Sequence, residues 1–332
     1  MNFRYVPFHL LGKKKNIIVD GKGNEFTSLT LSHWPENTTP AQYKDDLSAQ
    51  ITFRFLEDPQ LEEDVEVVSN NHFDEDGLVS LWSMLNPDEA LSMKDFLVEV
   101  ASAGDFSKCS ITEAHRVAFV LSAWCDPERS PLSRKVFSQS TDELNQALYE
   151  ELLKRFPNVI SNIDNLVEFW KPEDDVLNAT EKAIFEGRIK IEEDADLDLA
   201  IVTVPDKGIL SEDVVLANPK SWVSSVLHPI AIHNKIDCFR VCVIQKNRYE
   251  LYYRYETWID FVSRILKERV DLSNLANRLN LQESSGGKWT FNGVDAIIGR
   301  LKLEGAAESS ITPTHFIDYV RGAFTTTKLG IG

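Results

Sequence analysis

Cysteines are few, basic residues are outnumbered, long apolar runs are missing, and each shortage narrows what the chain can be. Its four cysteines, Cys109, Cys125, Cys238 and Cys242, form no C-x-x-C pair, which leaves them as reduced, buried thiols. Cys238 and Cys242 stand four apart in an expected strand and so should share a core face. Acidic residues number 52 against 35 basic ones, for a net charge of −17. That field repels a polyanion and argues against binding to duplex nucleic acid, while a small phosphorylated substrate held by a metal remains compatible. The longest apolar stretch, around Val117 to Cys125, is too short to cross a bilayer. Lys13-Lys14-Lys15 follows a mildly apolar N-terminus with no small-residue cleavage site, so no signal peptide is read and a cytoplasmic, membrane-free protein is expected. G-x-S-x-G, G-x-x-x-x-G-K-[ST] and H-E-x-x-H are all missing, as are internal repeats and low-complexity segments.

What is present is enough chain for two domains with a real core: 332 residues, 43% of them hydrophobic. The stretch Val65 to Leu85, VEVVSNNHFDEDGLVSLWSML, organises the reading. Val65 to Val68 is β-branched and reads as a buried strand. Leu78 to Leu85 is apolar on one helical face. Between them, His72, Asp74 and Asp76 point to one side if the backbone stays extended. That places an imidazole and two carboxylates beyond a strand end and before a helix, where open α/β sheets bind ligands. Crowded carboxylates repel, and a divalent cation relieves the repulsion; mixed imidazole and carboxylate ligands suit manganese, iron, zinc or magnesium. The plainer alternative is that Asp74 or Asp76 caps the helix and His72 is an ordinary loop residue.

Along the chain, Asn16 to Val19 and Thr27 to Leu31 read as strands, the first ending at Asp20-Gly21 and the second running into Ser32-His33-Trp34. Ala41 to Leu56 has helical spacing, and Asn86-Pro87 separates two helices. Phe96 to Ser102 predicts a helix stopped at Gly104. Ser110 with Glu113, and Ser140 with Glu143, predict capping boxes. Asn158 to Trp170 and Asp175 to Ile191 are more weakly helical. After the acidic run 192–196 the pattern turns β-rich, over Leu197 to Val204, Ile230 to His233 and Cys238 to Gln245. Lys246-Asn247 then turns a hairpin into Arg248 to Glu256. Its tyrosines are packing residues before they are a stacking platform. Thr257 to Lys267 and Leu272 to Leu279 read as short helices. The expected organisation is α/β: a mostly parallel sheet flanked by helices over residues 1–190, and a smaller α/β domain over 191–332. His115 is expected to be packed or solvated inside its helix, and His228 and His233 to be packed.

The run Asn71 to Ser80 resembles the first motif of the DHH phosphoesterases, a His followed by Asp-x-Asp and a helix. Val19-Asp20-Gly21 is similar to their second motif, Leu31 to Asn37 to the third, and Ala101 to Phe106 to the fourth. The resemblance implies that Asp20, His33, His72, Asp74, Asp76 and Asp105 ligate one or two metal ions, manganese or magnesium, with Asp76 and His33 central to catalysis. It also implies a substrate contact from Asn71 and Asn37. Tyr249 to Arg254 and Gly286-Gly287-Lys288-Trp289 resemble the accessory C-terminal domain, adding Arg254 and Lys288 as anion contacts. The order of motifs departs from the family and requires a circular permutation. Trp34 stands where the family has the second His of its naming triplet, which touches substrate phosphate. The chain is also similar to a bacterial family with no activity to carry over.

The implied function is metal-dependent hydrolysis of a phosphoester or phosphoanhydride, by a monomer or homodimer. The alternative is a non-catalytic metal-binding or regulatory protein on the same fold, which the loss of the second His favours. Hydrolysis of an amide or another non-phosphate bond by the same metals stays open.

Overall fold

A computed structural model describes residues 2–61, 65–206, 209 and 223–328. The chain forms two compact units, Met1–Asp174 with Ile259–Ile265, and Asp175–Trp258 with Leu266–Gly332. The expected boundary at 190/191 therefore moves. The division falls inside a helix rather than at the acidic run, and seven residues from beyond the β-rich region return to the first unit.

The first unit begins with three short strands and a helix: β1 (Arg4–Tyr5), β2 (Asn16–Val19), β3 (Thr27–Leu31) and α1 (Ser48–Glu57). Then come β4 (Val67–Ser69), α2 (Glu75–Leu85), α3 (Pro87–Ser92), α4 (Lys94–Asp105), α5 (Thr112–Cys125), α6 (Thr141–Ser161) and α7 (Val167–Phe185). The strands make a four-stranded sheet in the order β1-β4-β2-β3, every pair parallel. Asn-Ile-Ile-Val in β2 is buried along its whole length, as an inner strand of a parallel sheet covered on both faces must be. In this unit the fold is α/β, as expected.

Several local expectations give way to tertiary contacts. Residues 41–47 are not helical, and α1 starts only at Ser48. The Asp46 carbonyl accepts from a histidine ring rather than from a helical N–H. Ser110 is no cap: its N–H and hydroxyl both reach Glu99 on α4, at 2.6 and 2.9 Å, and α5 starts from Ile111. Gly104 does not stop α4, which runs on to Asp105. Its missing side chain serves helix packing instead, since a Cβ there would stand 2.7 Å from Glu75. The Ser140–Glu143 capping box forms as read.

The second unit carries β5 (Lys190–Asp194), β6 (Leu199–Val204), α8 (Pro229–His233), β7 (Arg240–Gln245) and β8 (Arg248–Tyr253), then α9 (Ser273–Gln282), β9 (Lys288–Phe291), β10 (Arg300–Glu304) and α10 (Pro313–Lys328). Its six strands run β5-β6-β7-β8-β10-β9, with only β6 and β7 parallel. Side chains alternate between two cores. Leu199, Ile201, Cys242, Ile244 and Leu251 pack with α9 and α10, whereas Ala200, Val202, Val241 and Val243 pack with Ile232 of α8. Cys238 precedes β7 and lies in the second of these cores, so it does not share a face with Cys242. Ile230 to His233 is helical because Pro229 opens it and His228 Nδ1 accepts the Ile230 N–H, an arrangement that overrides two β-branched residues. Tyr249 stacks on Phe316 at 4.4 Å between ring centroids, a packing role. His228 and His233 are buried, as expected. Among the described residues no helix is long and apolar enough to cross a membrane.

One carboxylate ties the end of this unit together. Glu283 accepts from Trp289 Nε1, Ser309 Oγ, Ser285 N and both the N–H and hydroxyl of Ser310, at 2.6 to 3.0 Å. Burial works to raise its pKa, but these donors outweigh burial and hold it well below the ordinary range. A depressed folded pKa gives stability that is complete above the unfolded value and fades as pH falls toward the folded one. Glu283→Gln should therefore cost about 1–3 kcal/mol at pH 7. Thermal melts of parent and variant should converge as the pH drops from 5 toward 2; a constant difference would refute the assignment.

Candidate metal centre

Parallel pairing is what gathers the site. Val19 is in register with Leu31, and Ile18 with Ser69, so β2, β3 and β4 all end at one rim. The residues that follow, Asp20, His33 and Asn70, are delivered there together. Asp20 adopts a left-handed backbone, φ 44°, a conformation aspartate tolerates better than most residues. Asp76 arrives in the first turn of α2 and Asp105 at the last residue of α4.

Two three-residue clusters result, and Asp20 belongs to both: Asp20, His72 and Asp74, and Asp20, His33 and Asp76. His72 Nε2 lies 3.1 Å from Asp20 Oδ2 and 2.7 Å from Asp74 Oδ2. His33 Nε2 lies 3.6 Å from Asp20 Oδ1, 3.9 Å from Asp76 Oδ2 and 3.4 Å from Asp105 Oδ2. The six expected ligands thus converge from five loops and helix ends. Extended alternation is not how Asp76 gets there: α2 begins at Glu75, and Asp74 caps it by accepting the Gly77 N–H at 2.8 Å. Capping and site membership coexist in Asp74, since each uses a different oxygen.

Supporting bonds fix the donors. The Asp76 carboxylate accepts the backbone N–H groups of Ser48 and Ala49 at the start of α1, at 2.8 and 2.7 Å. Ser48 Oγ donates to Asp20 Oδ1 at 2.8 Å. His33 Nδ1 stands 2.7 Å from the Asp46 carbonyl, which can only accept, so Nδ1 carries the proton. Nε2 is then the lone-pair nitrogen of a neutral ring. It faces carboxylate oxygens that are acceptors as well, and Asp105 Oδ2 is buried without a hydrogen-bond donor. A set of inward-facing acceptors fits a cation, and a second bond orienting a ligating His is the usual support for one. This Asp/His cluster is suited to hold a metal ion, with hard N and O donors and no thiolate.

Charge states follow. Burial, then the Asp20 and Asp74 charges, push Asp76 well above the ordinary carboxylate range. Burial and the Asp74, Asp76 and Asp20 carboxylates do the same to Asp105. Burial lowers His33, outweighing the pull of Asp20. Burial also works against a proton on His72, but Asp74 and Asp20 prevail and raise it well above its usual value. For Asp20, burial raises and the two histidines with Ser48 lower; the lowering wins.

The four expected substrate contacts fare differently. Asn71 lies at the cluster, its Oδ1 3.3 Å from His72 Nδ1. Asn37 is spent on its own turn, bonding Trp34 O at 2.7 Å and the Thr39 N–H at 3.0 Å. Arg254 and Lys288 belong to the second unit. Arg254 is buried in an ion pair with Glu256, so its charge is already matched, and Lys288 is an exposed residue opening β9. Neither is part of the cluster. Of the two expectations for His115 the packed one holds: it is buried, with Nε2 3.2 Å from Asp174. Sequence reasoning missed Ala49 and Asp46, because backbone groups leave no signature in a residue pattern, and Ser48, whose hydroxyl and N–H both serve the site.

Asp46 does double duty. While its carbonyl orients His33, its Oδ1 accepts the N–H groups of Val262 and Ser263 at 2.8 and 2.9 Å. The Asp260 N–H bonds the His33 carbonyl at 2.8 Å, and Phe261 meets Phe106 edge-on. These bonds replace the helix expected over 257–267, where only a single turn, Tyr255–Thr257, forms. Asp46→Ala should release segment 259–265: limited proteolysis would cut near Ile265 several times faster than in the parent, with the melting temperature of the unit little changed. Equal cleavage rates would show that the carboxylate does not hold the segment.

No curated protein and no solved structure matches the chain. One family does, over residues 1–331, and its description is "Family of unknown function (DUF6687)". By the extent of that match the chain belongs to the DUF6687 family.

Proposed function

We propose that this protein is a metal-dependent hydrolase of a phosphoester or phosphoanhydride, DHH-like in its first unit, using one or two manganese or magnesium ions. The observation that carries the reading is Asp20, whose two oxygens face two separate imidazole–carboxylate groups. A carboxylate shared in this way is what a paired-ion centre needs. His72 and Asp74 with Asp20 Oδ2 would hold one ion, and His33, Asp76 and Asp105 with Asp20 Oδ1 the other. Bound there, divalent ions supply Lewis acidity and an activated water for in-line attack at phosphorus. The chain's own part is positional. Ser48 and Ala49 hold Asp76, Asp46 keeps the His33 lone pair inward, and Asp74 fixes the start of α2. The same reading carries a cytoplasmic setting, where small phosphorylated substrates are plentiful.

Trp34 supports a second reading. Its ring lies 4.6 Å from that of His72, and by the resemblance to the DHH phosphoesterases it takes the sequence position of their phosphate-contacting His. A site covered by indole rather than imidazole suits a metal-binding or regulatory protein without turnover. The two readings separate on bis-para-nitrophenyl phosphate with Mn²⁺: the first expects two bound ions and hydrolysis, the second one ion and none.

Metal binding has its own sign rules. Asp76, Asp105 and His72 all hold protons more tightly folded than unfolded, so the metal-free protein gains stability as pH falls from 8 toward 6. Mn²⁺ competes with those protons, so its affinity should rise over the same interval as pH increases. Asp105→Asn removes one buried charge from a crowd of like charges. It should raise the metal-free melting temperature by a few degrees at pH 8 and weaken Mn²⁺ binding at least tenfold. A variant that melts lower and binds Mn²⁺ as the parent does would remove Asp105 from the centre.

A further inference from the structure

Each imidazole of the centre turns one nitrogen toward carboxylates, and the other nitrogen needs a partner of its own. For His33 that partner is the Asp46 carbonyl, 2.7 Å from Nδ1. For His72, Nε2 lies against Asp20 and Asp74. Its Nδ1 lies 3.3 Å from Asn71 Oδ1, the one hydrogen-bond partner it has among the described residues. A neutral imidazole that gives Nε2 to a cation must carry its proton on Nδ1. The atom facing Nδ1 must then accept, which makes it the carboxamide oxygen and fixes which way the Asn71 amide is turned.

Other contacts hold Asn71 in that pose. Its backbone carbonyl accepts from Asn145 Nδ2 on α6 at 3.3 Å, and Asn70 Oδ1 accepts the His72 N–H at 2.9 Å. The Asn71 carboxamide also lies directly against Gly21, the residue after Asp20. A Cβ built on Gly21 would stand 2.2 Å from Asn71 Oδ1 and 3.2 Å from Asn71 Cγ, and the first distance is closer than non-bonded atoms pack. Gly21 does not have a positive φ, so its backbone conformation does not call for glycine. Close approach does: bare backbone beside Asp20 is what lets Asn71 reach His72.

We propose that Asn71 is a positioning residue of the metal centre. Its carboxamide oxygen holds the Nδ1 proton of His72 and so keeps the Nε2 lone pair turned toward Asp20 and Asp74, while Gly21 keeps the space the carboxamide needs. Asn71 thereby plays for His72 the part that the Asp46 carbonyl plays for His33, a different role from the substrate contact its sequence position implies. Support of this kind sets the ring orientation of a ligating histidine and raises its basicity. The support of His33 is backbone and survives a change of side chain; that of His72 is a side chain and can be removed. The inference rests on the metal-centre reading above.

Mn²⁺ alone is titrated calorimetrically into the full-length parent, Asn71→Ala, Gly21→Ala and the double variant. The expected result is an affinity about 10–100-fold lower for Asn71→Ala. Gly21→Ala should lose a comparable amount, because its methyl group displaces the carboxamide. The double variant should lose no more than Asn71→Ala, since the atoms that collide are gone. Losses that add in the double variant overturn the proposal, because they show that the two residues act separately. Parent affinity in a folded Asn71→Ala overturns it too, and a raised KM for bis-para-nitrophenyl phosphate in that variant would return Asn71 to substrate contact. A parent that binds no Mn²⁺ overturns the metal centre itself. If Asn71→Ala does not fold, a crystal structure of the Mn²⁺-loaded parent decides: Nε2 on the ion with Nδ1 bonded to Asn71 Oδ1 supports the proposal, and Nδ1 on the ion or turned to solvent refutes it.

Discussion

Confinement of like-charged oxygen is the constraint from which the first unit is built. Asp20 and Asp76 are buried, and Asp105 turns a buried oxygen inward, all within reach of one neutral imidazole, and histidine is the only basic side chain among the groups that shift them. In a low-dielectric interior that arrangement is tolerable only with protons or a cation present. The rest of the unit can be understood as the scaffold that makes so unfavourable a grouping persist.

That scaffold relies on backbone more than on side-chain charge. Three parallel strands ending in register bring the loops to one rim, and a helix N-terminus turns two N–H groups onto Asp76. Helix dipole and orphan amides favour an anion at that end, so a carboxylate crowded by its neighbours is supported by backbone donors. Asp20 bears its strain differently, in a left-handed backbone that swings the carboxylate inward. Non-glycine residues in such conformations concentrate at functional sites, and this one stands where both clusters meet.

The Asp/His cluster was legible in the sequence, and the framework around it less so. His72, Asp74 and Asp76 stand close together between a β-rich segment and a helical one, and Asp20 and His33 each follow a clear β-rich segment. Those are local signals. Expectations failed where a distant partner decided the local structure. Residues 41–47 and 257–267 looked helical, yet the Asp46 carbonyl pairs with the His33 ring on another loop, and the N–H groups of Val262 and Ser263 pair with Asp46 across more than two hundred residues. Gly104 looked like a stop because nothing in its neighbours announces Glu75 on another helix. Arg254 looked like an anion contact because Glu256, two residues on, gives no hint from sequence that the pair is buried. The domain boundary was misplaced for a related reason: a change in composition marks where strands begin, not where packing changes hands.

The clasp formed by Asp46 has an implication for how the protein comes into being. The carbonyl that orients His33 belongs to a residue whose carboxylate grips Val262 and Ser263, and residues 175–258, most of the second unit's sheet among them, lie between the two in the chain. A ribosome therefore releases the whole of β1 to α6 long before it has made the last piece of their fold. Until residue 263 has emerged, the nascent first half carries its acidic cluster with one wall unfinished. Loop closure over so long a span is slow compared with local pairing, so completion of the centre is a late event in the life of each new molecule, set by translation of its distal half.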